Sequence, residues 1–135
     1  MSKQQVGDAS LSLPITLNFL IQRTVVRAYL MGPRSAWVDV PVVHYTVHGF
    51  SMPSIDDLFE INNIHRAELM DWWNMESFVI YYTDHADLPE NIELRARFGV
   101  SFQGSILLFK RQKSGTALVN LPTASLDDAL NTIEW

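Results

Sequence analysis

Cysteine is absent from this 135-residue sequence, and its absence excludes several kinds of chemistry. Without cysteine there can be no disulfide bond, no thiolate catalysis and no zinc or iron–sulfur site with cysteine ligands. Disulfides mark oxidising compartments, so the sequence predicts a cytoplasmic location. Met1–Ser12 contains Lys3 and Asp8 but no small-residue cleavage pattern, so a signal peptide is not predicted either.

Several other patterns are missing. No run approaches the roughly 18 apolar residues of a membrane-spanning helix, so no membrane partner is expected. The sequence has no phosphate loop, no dinucleotide fingerprint and no RNA-binding aromatic motif. It therefore predicts no cofactor and no metal site. It also has no internal repeat and no linker rich in proline, glycine or serine, which predicts a single domain over residues 1–135 with residues 1–12 as a flexible tail.

The charge of the chain is unevenly distributed. The formal net charge is -5, but residues 54–93 contain ten acids and one base, while residues 94–120 contain five bases and no acid. Nucleic acid is not an expected partner, because phosphates require a basic face. Solvated helix faces are the plain interpretation of such charge runs. Opposite patches on one molecule would also let copies associate, so the sequence predicts a protein partner, either another protein or a homo-oligomer.

Strand and helix patterns alternate along the chain. The expected elements are a strand or short helix over Ile15–Leu30, strands over Trp37–Phe50, Ser77–Thr83 and Ser105–Lys110, a strand over Thr116–Leu121, and helices over Ser54–Asn74, from Asp87 to Gly99 and after Ser125. Such alternation favours an α/β fold with parallel strands covered by helices, ending in an antiparallel hairpin.

Four segments of residues 40–133 follow one known pattern: Phe50-Ser51-Met52-Pro53-Ser54, Val79-Ile80-Tyr81-Tyr82, Phe98-Gly99-Val100 and Ile106-Leu107-Leu108-Phe109-Lys110. With these segments residues 40–133 resemble the thioredoxin-like superfamily, in which a Trp-Cys-Gly-Pro-Cys motif takes the place of residues 50–54. The resemblance implies a three-layer mixed sheet flanked by helices. The strand holding Val79 would run parallel to the strand holding Val43, and the strand holding Leu107 antiparallel to it.

The chain departs from the thioredoxin pattern at two functional places. Ser51 and Ser54 stand where the family has its redox cysteines, and Gln103-Gly104 stands where the family has a proline before the fourth strand. A serine hydroxyl cannot form a redox couple. The resemblance therefore implies a redox-inactive, non-catalytic interaction or assembly module, of the accessory or chaperone-like kind. Ser51, Met52 and Pro53 are its candidate binding residues.

A second fold is compatible with the same elements. In an α+β ubiquitin-like β-grasp, Ile15–Leu30 and Trp37–Phe50 would form the first hairpin, and Ser54–Asn74 would be the helix that crosses it.

Two adjacent tryptophans, Trp72 and Trp73, are the strongest candidates for binding a partner. On a helix they would point about 100° apart, so one could be buried and the other exposed. An exposed tryptophan beside Met70 and Met75 would be a good anchor, because aromatic and methionine side chains are enriched in interface cores. Burial under the first segment of the chain is the alternative.

Weaker candidates support an enzyme instead. His48 could activate Ser51 as a nucleophile. His65 and Glu68 could form an acid–base pair on a helix face. Either arrangement predicts, as the alternative function, a small hydrolase or isomerase. No nucleophile-elbow motif supports the serine. His44 and His48 would lie about 13 Å apart on a strand, too far to share a metal. Asp84-His85-Ala86-Asp87 has the composition of a turn that caps the next helix.

Overall fold

A computed structural model of the chain describes residues 21–133. Its strands are β1 (Ile21–Met31), β2 (Ala36–Tyr45), β3 (Phe50–Pro53), β4 (His65–Asp71), β5 (Glu76–Tyr82), β6 (Ile106–Arg111) and β7 (Leu118–Val119). Its α-helices are α1 (Ile92–Phe98) and α2 (Leu126–Thr132), with short 3-10 turns at Asp56–Leu58 and Thr123–Ser125. The predicted flexible tail over residues 1–12 and the first part of Ile15–Leu30 lie outside the described residues.

The seven described strands form one sheet that curls into a half-barrel. The order is β3-β2-β1-β6-β5-β4, with β7 beside the end of β6, and every described pair is antiparallel. The thioredoxin-like prediction is therefore wrong, and so are its strand directions. Through the order β2-β1-β6-β5, the Val79 strand runs opposite to the Val43 strand, and the Leu107 strand runs in the same direction as the Val43 strand. Parallel neighbours need a long crossover connection, usually a helix, whereas residues 46–49 and 72–75 here are short hairpin turns.

The largest single error is the helix predicted over Ser54–Asn74. Within it the structure has one 3-10 turn and then the strand β4, so the β-grasp alternative, which needs this helix to cross the first hairpin, is wrong too. In β4 the partly buried Ala67 and Leu69 alternate with the exposed Arg66 and Glu68. That is the two-residue period of a strand, and pairing with β5 overrides the helix preference of Ala, Leu, Met and Glu.

The sheet is covered on both faces by separate apolar clusters. The helix-side core joins α1 and α2 to the sheet through Met31, Phe78, Ile80, Leu94, Ile106, Leu108 and Leu130, among others. The loop-side core joins the other face to residues 55–64 through Val26, Val40, Val42, Ile55, Phe59, Val79, Leu107 and Phe109, among others. Because β5 and β6 contribute alternate residues to both cores, their apolar runs are nearly continuous.

The start of α1 is organised by a buried asparagine. The Asn91 side chain accepts a hydrogen bond from the Leu94 N–H and donates to the carbonyl oxygens of Met31 (3.2 Å) and Gly104 (3.0 Å). The N-cap is thus Asn91, not the predicted Asp87. The end of the helix was predicted correctly: Gly99 follows α1 with a left-handed φ of 67°.

Helix α1 is also tied to β1 by a carboxylate, which gives the protein an acid-sensitive contact. The Glu93 carboxylate accepts hydrogen bonds from the Tyr29 hydroxyl (2.8 Å) and from Arg97 Nε (2.6 Å). Burial alone would raise the pKa of Glu93, but hydrogen bonds from Ser35, Arg97 and Tyr29 outweigh it and hold the pKa below its ordinary value of 4.5. Protonation of Glu93 therefore disfavours the folded state.

We expect Glu93→Gln to lower the free energy of unfolding at pH 7 and to have a shrinking effect as the pH falls. A depressed folded-state pKa contributes stability above the unfolded pKa, near 4.5, and that contribution is lost as the pH falls through the folded pKa. Urea unfolding between pH 7 and pH 3 measures it. Glu60→Gln, at an exposed position in the 55–64 segment, is the control. If the free energy of unfolding of Glu93→Gln changed with pH in the same way as that of the wild type, the depressed pKa of Glu93 in the folded state would be contradicted.

Candidate functional site

The hairpin turn between β4 and β5 presents its side chains on a fixed backbone. Asp71 Oδ1 accepts hydrogen bonds from the N–H groups of Trp73 (3.1 Å) and Asn74 (3.2 Å), and Oδ2 accepts from the Asn74 side-chain amide (2.8 Å). Met75 completes the turn with a φ of 55°, a conformation rare for a residue other than glycine. Asp71 therefore fixes the direction of the residues between the two strands.

Two of the four residues in this turn are tryptophans, and both are in solvent. Trp73 is 93% exposed, Trp72 73% and Met75 53%. On the helix predicted from the sequence, one of the two tryptophans could be buried. The pair lies in a turn instead, and neither side chain contributes to a core. The prediction that these residues bind a partner is untested by the structure, but the structure removes burial as the alternative.

Acidic side chains surround the base of this hairpin. Oxygen atoms of Asp71, Glu76 and Asp128 lie within 4.8 Å of one another. Three carboxylates at this spacing could hold a cation, but two of them already have partners: Asp71 holds the turn, and Glu76 accepts a hydrogen bond from Lys110 Nζ at 2.9 Å. Hydrogen bonds from the side chain and backbone of Asn74 lower the pKa of Asp71, so this carboxylate stays ionised while it holds the turn.

A cleft of about 740 Å³ begins beside Trp72. It runs between β4 and β5, residues 100–102 and the end of α2, and Leu69, Tyr82 and Phe102 are among its walls. Asp84, from the predicted capping turn, also lines it. The cleft adjoins the tryptophan hairpin at Trp72, and Glu68 and Asp84 lie among the apolar side chains of its walls.

A second cleft, of about 600 Å³, lies between β3 and β4. Four of the sequence-predicted site residues line it: Ser51, Met52, Pro53 and Glu68. Glu68 accepts hydrogen bonds from Arg66 and from Arg111, each at 2.8 Å. The hydrogen bond from Arg66, aided by the one from Arg111, holds the pKa of Glu68 below its ordinary value despite some desolvation. Glu68 thus stabilises an ion-pair network and is not placed as the partner of a catalytic histidine.

The histidines predicted for catalysis do not meet the serine. Ser51 Oγ lies 2.8 Å from Nδ1 of His44, its cross-strand partner, and accepts a hydrogen bond from the Leu118 N–H at 3.2 Å. His48 instead lies against Phe50, with ring centroids 6.0 Å apart, and His65 against Tyr82, at 5.3 Å. Sequence reasoning missed His44 as the partner of Ser51 because the register of β2 and β3 decides it.

In the described part of the chain, no helix has the length and apolar content needed to cross a bilayer. Comparison with models of known protein families, with characterised proteins and with solved structures finds no match for this chain.

Proposed function

We propose that this protein is a protein-interaction module that docks through the turn between β4 and β5. The observation that carries the proposal is the pair Trp72 and Trp73, largely exposed on a turn held by Asp71. Tryptophan is enriched among the few residues that carry most of the binding energy of an interface. A rigid turn lowers the entropy lost on binding, so these two side chains are well suited to be anchors.

The charge around the anchors indicates the chemistry of the partner. Asp71, Glu76 and Asp128 surround the base of the hairpin, which favours a partner whose apolar pocket has a basic rim. The same acids oppose docking to a membrane surface rich in anionic lipids. Exposed ion pairs are worth only about 0–1 kcal/mol each, so we expect charge to set orientation and rate, and tryptophan to set affinity.

A second copy of this chain has suitable charge, so we propose a homo-oligomer. Residues 94–120 supply five bases and no acid, opposite in sign to residues 54–93. Four of these bases already pair within the chain, among them Arg95 with Glu90 and Arg97 with Glu93, so a second copy would have to exchange those pairs. Lys113 is exposed and has no ion pair among the described residues. A module of this kind would act in assembly. We also propose a cytoplasmic location, because proteins of oxidising compartments commonly contain disulfides and this chain has no cysteine. Cell fractionation can test the location.

We expect Trp73→Ala to weaken self-association by about 10- to 100-fold, which corresponds to about 1.4–2.7 kcal/mol. Trp72→Ala should act in the same direction. Sedimentation velocity of the wild type at 0.1 M and 1 M salt should show association that persists at high salt, because an apolar anchor is not screened as ion pairs are. Val47→Ala, at a 66% exposed position in the turn between β2 and β3, is the control and should leave association unchanged.

Two results would contradict this proposal in different ways. A strict monomer at high micromolar concentration in low salt would exclude the second copy as partner. Association that is abolished at 1 M salt but unaffected by either tryptophan substitution would exclude the hairpin as the anchor.

The hydrolase or isomerase alternative has less support. Ser51 and His44 are hydrogen-bonded beside a cleft, but the described residues place no carboxylate on His44 to complete a triad. The Ser51 hydroxyl also accepts the Leu118 N–H, which gives it a structural role between β3 and β7. The arrangement is an ordinary cross-strand polar pair, and interaction remains the function we propose.

A further inference from the structure

The described sheet ends in two strands that are protected very differently. On one side β3 has four residues and ends in Pro53, which has no N–H to donate to another strand. On the other side β4 has seven residues, no proline and an unbroken register with β5, so no bulge interrupts it. Short strands, bulges and prolines are common protections of a sheet edge, and β4 has none of them.

The outer edge of β4 has backbone groups free for pairing and open space beside it. In the described part of the chain β5 is the only strand that pairs with β4, so every second residue of β4 turns its N–H and C=O groups outward. The cleft beside Trp72 is lined by residues 67–70, and the second cleft by Arg66 and Glu68. Successive side chains point to opposite faces of a strand, so a cleft lined by four successive residues reaches the strand edge. A further strand would lie there.

The sequence of β4 is complementary to itself. Arg66 and Glu68 share the face of β4 opposite to Ala67 and Leu69, which pack against the helix-side core. In an antiparallel pair of two β4 strands with Ala67 opposite Ala67, Arg66 of each copy lies opposite Glu68 of the other. Residues that oppose each other have Cβ atoms about 4.5–5.5 Å apart, within reach of an ion pair. A register centred on Arg66 or on Glu68 would instead place like charges opposite each other, which is destabilising.

The ion pairs within one copy are compatible with this register. Glu68 accepts one hydrogen bond from Arg66 and another, at its second carboxylate oxygen, from Arg111. The side chains of Arg66 and Glu68 are nevertheless 47% and 50% exposed. A carboxylate has about four lone-pair sites, so Glu68 can accept from Arg66 of a second copy without releasing Arg111. Two copies therefore form one cluster of alternating charges and need not exchange their pairs.

We propose that two copies of this protein pair through β4, edge to edge and antiparallel, with Ala67 at the two-fold axis. The pairing joins two sheets into one and gives partners to backbone groups that a single copy leaves to water. In this register each tryptophan turn lies beside residues 61–62 of the other copy, so the edge and the turn belong to one interface. The inference rests on the homo-oligomer proposed above, and it names the strand that joins the copies.

Introduced cysteines can test the register, because the chain has none of its own. Opposite residues of an antiparallel pair have Cα atoms about 4.5–5.5 Å apart, a distance that a disulfide spans. Ala67→Cys should therefore join two copies under mild oxidation. His65→Cys mixed with Leu69→Cys should give a mixed dimer, whereas either variant alone places its two thiols about 13 Å apart. Val47→Cys, at a 66% exposed position in the turn between β2 and β3, is the control.

Each variant is checked for native circular dichroism, and non-reducing gels measure the covalent dimer. We expect at least ten times more dimer from Ala67→Cys than from Val47→Cys, and at least ten times more mixed dimer than dimer of either His65→Cys or Leu69→Cys alone. Two tests are used so that the loss of folding in one leaves the other decisive. A natively folded test variant that does not exceed its control would overturn the proposal.

A charge substitution separates this inference from the tryptophan anchor. We expect Arg66→Glu to weaken self-association about tenfold in sedimentation velocity, because like charges would then oppose each other. Mixing it with Glu68→Arg should restore association, because opposite charges again face each other in the mixed pair. Arg34→Glu, at an exposed position in the turn between β1 and β2, is the control and should change nothing.

The outcomes of this measurement distinguish the two proposals. Self-association that depends on Trp73 but is unchanged by Arg66→Glu would overturn the edge pairing and leave the tryptophan anchor in place. A strict monomer would overturn the edge pairing and exclude a second copy as partner, while another protein could still dock on the tryptophan turn.

Discussion

Gly104→Ala is expected to destabilise the protein by about 4 kcal/mol or more. A Cβ atom at this position would lie 2.3 Å from the Thr83 carbonyl oxygen and 3.0 Å from the Thr83 hydroxyl oxygen. The close atom belongs to the backbone directly after β5, so no side-chain rotation can relieve the clash. Gly104 also has a φ of 120°, which side-chain-bearing residues rarely adopt, and its N–H and carbonyl groups bond Pro89 and Asn91.

Gly99→Ala is the matched control for this substitution. Gly99 also has a positive φ, of 67°, but a Cβ atom there would have nothing within 4 Å. Its cost should therefore be only that of the left-handed conformation, about 1–2 kcal/mol. Urea unfolding of both variants separates the clash from the backbone preference. Equal losses in the two variants would show that the approach of Gly104 to Thr83 is not tight in solution.

Asn91→Ala should be nearly as damaging, at about 3–4 kcal/mol. Asn91 is fully buried, and its side chain is the hydrogen-bond partner of the Leu94 N–H and of the Met31 and Gly104 carbonyl oxygens. Alanine would leave these three backbone groups without that partner in a site from which water is largely excluded. Each buried polar group that loses its partner costs about 1–3 kcal/mol, and the helix also loses its N-cap.

Asn120→Ala is the control for the loss of a side-chain amide. The Asn120 side-chain oxygen Oδ1 accepts a hydrogen bond from the Arg27 N–H at an exposed site, where water can replace it. We expect its loss to cost about 1 kcal/mol or less. Thermal or urea unfolding compares the two variants. If Asn91→Ala were no worse than Asn120→Ala, the Asn91 network would not be part of what joins α1 to the sheet.

The sequence predicted local features well where one signal was decisive. Strands were expected over Ser77–Thr83 and Ser105–Lys110, and the structure has them within one residue, at Glu76–Tyr82 and Ile106–Arg111. Both segments are short, nearly continuous apolar runs, a pattern typical of a strand that is buried on both faces. Gly99 ended its helix as expected, because a left-handed residue is needed there.

Prediction failed where two periods fit the same residues. Near the end of the predicted helix Ser54–Asn74, Ala67, Met70 and Trp73 are spaced as on one side of a helix, while Ala67 and Leu69 are spaced as on one face of a strand. Helix propensity differs by only a few tenths of a kcal/mol per residue among these types, and seven cross-strand pairs with β5 outweigh it. The thioredoxin-like fold failed for a related reason, since the order of elements does not state which strands pair or in which direction.

The candidate site was partly predictable. The tryptophans were found from residue type alone, but their exposure follows from the turn held by Asp71 and Asn74, which a helical interpretation concealed. Ser51, Met52 and Pro53 do line a cleft, although the alignment that selected them was wrong. The pairing of Ser51 with His44 depends on a strand register that residue spacing does not specify.

The position of β1 beside β6 has a consequence for how the chain reaches its native state. Residues 29–31 pair with residues 106–108, so the middle of the sheet joins segments far apart in sequence, while β1–β2–β3 and β4–β5 can each form from nearest neighbours. The chain between β1 and β6 must lose conformational entropy before the contacts between these strands can form, so such topologies fold slowly. During synthesis the first three strands emerge from the ribosome well before β6, and until β6 arrives β1 keeps an unpaired edge. Nascent chains of this protein would therefore depend on chaperones most between the synthesis of β3 and that of β6.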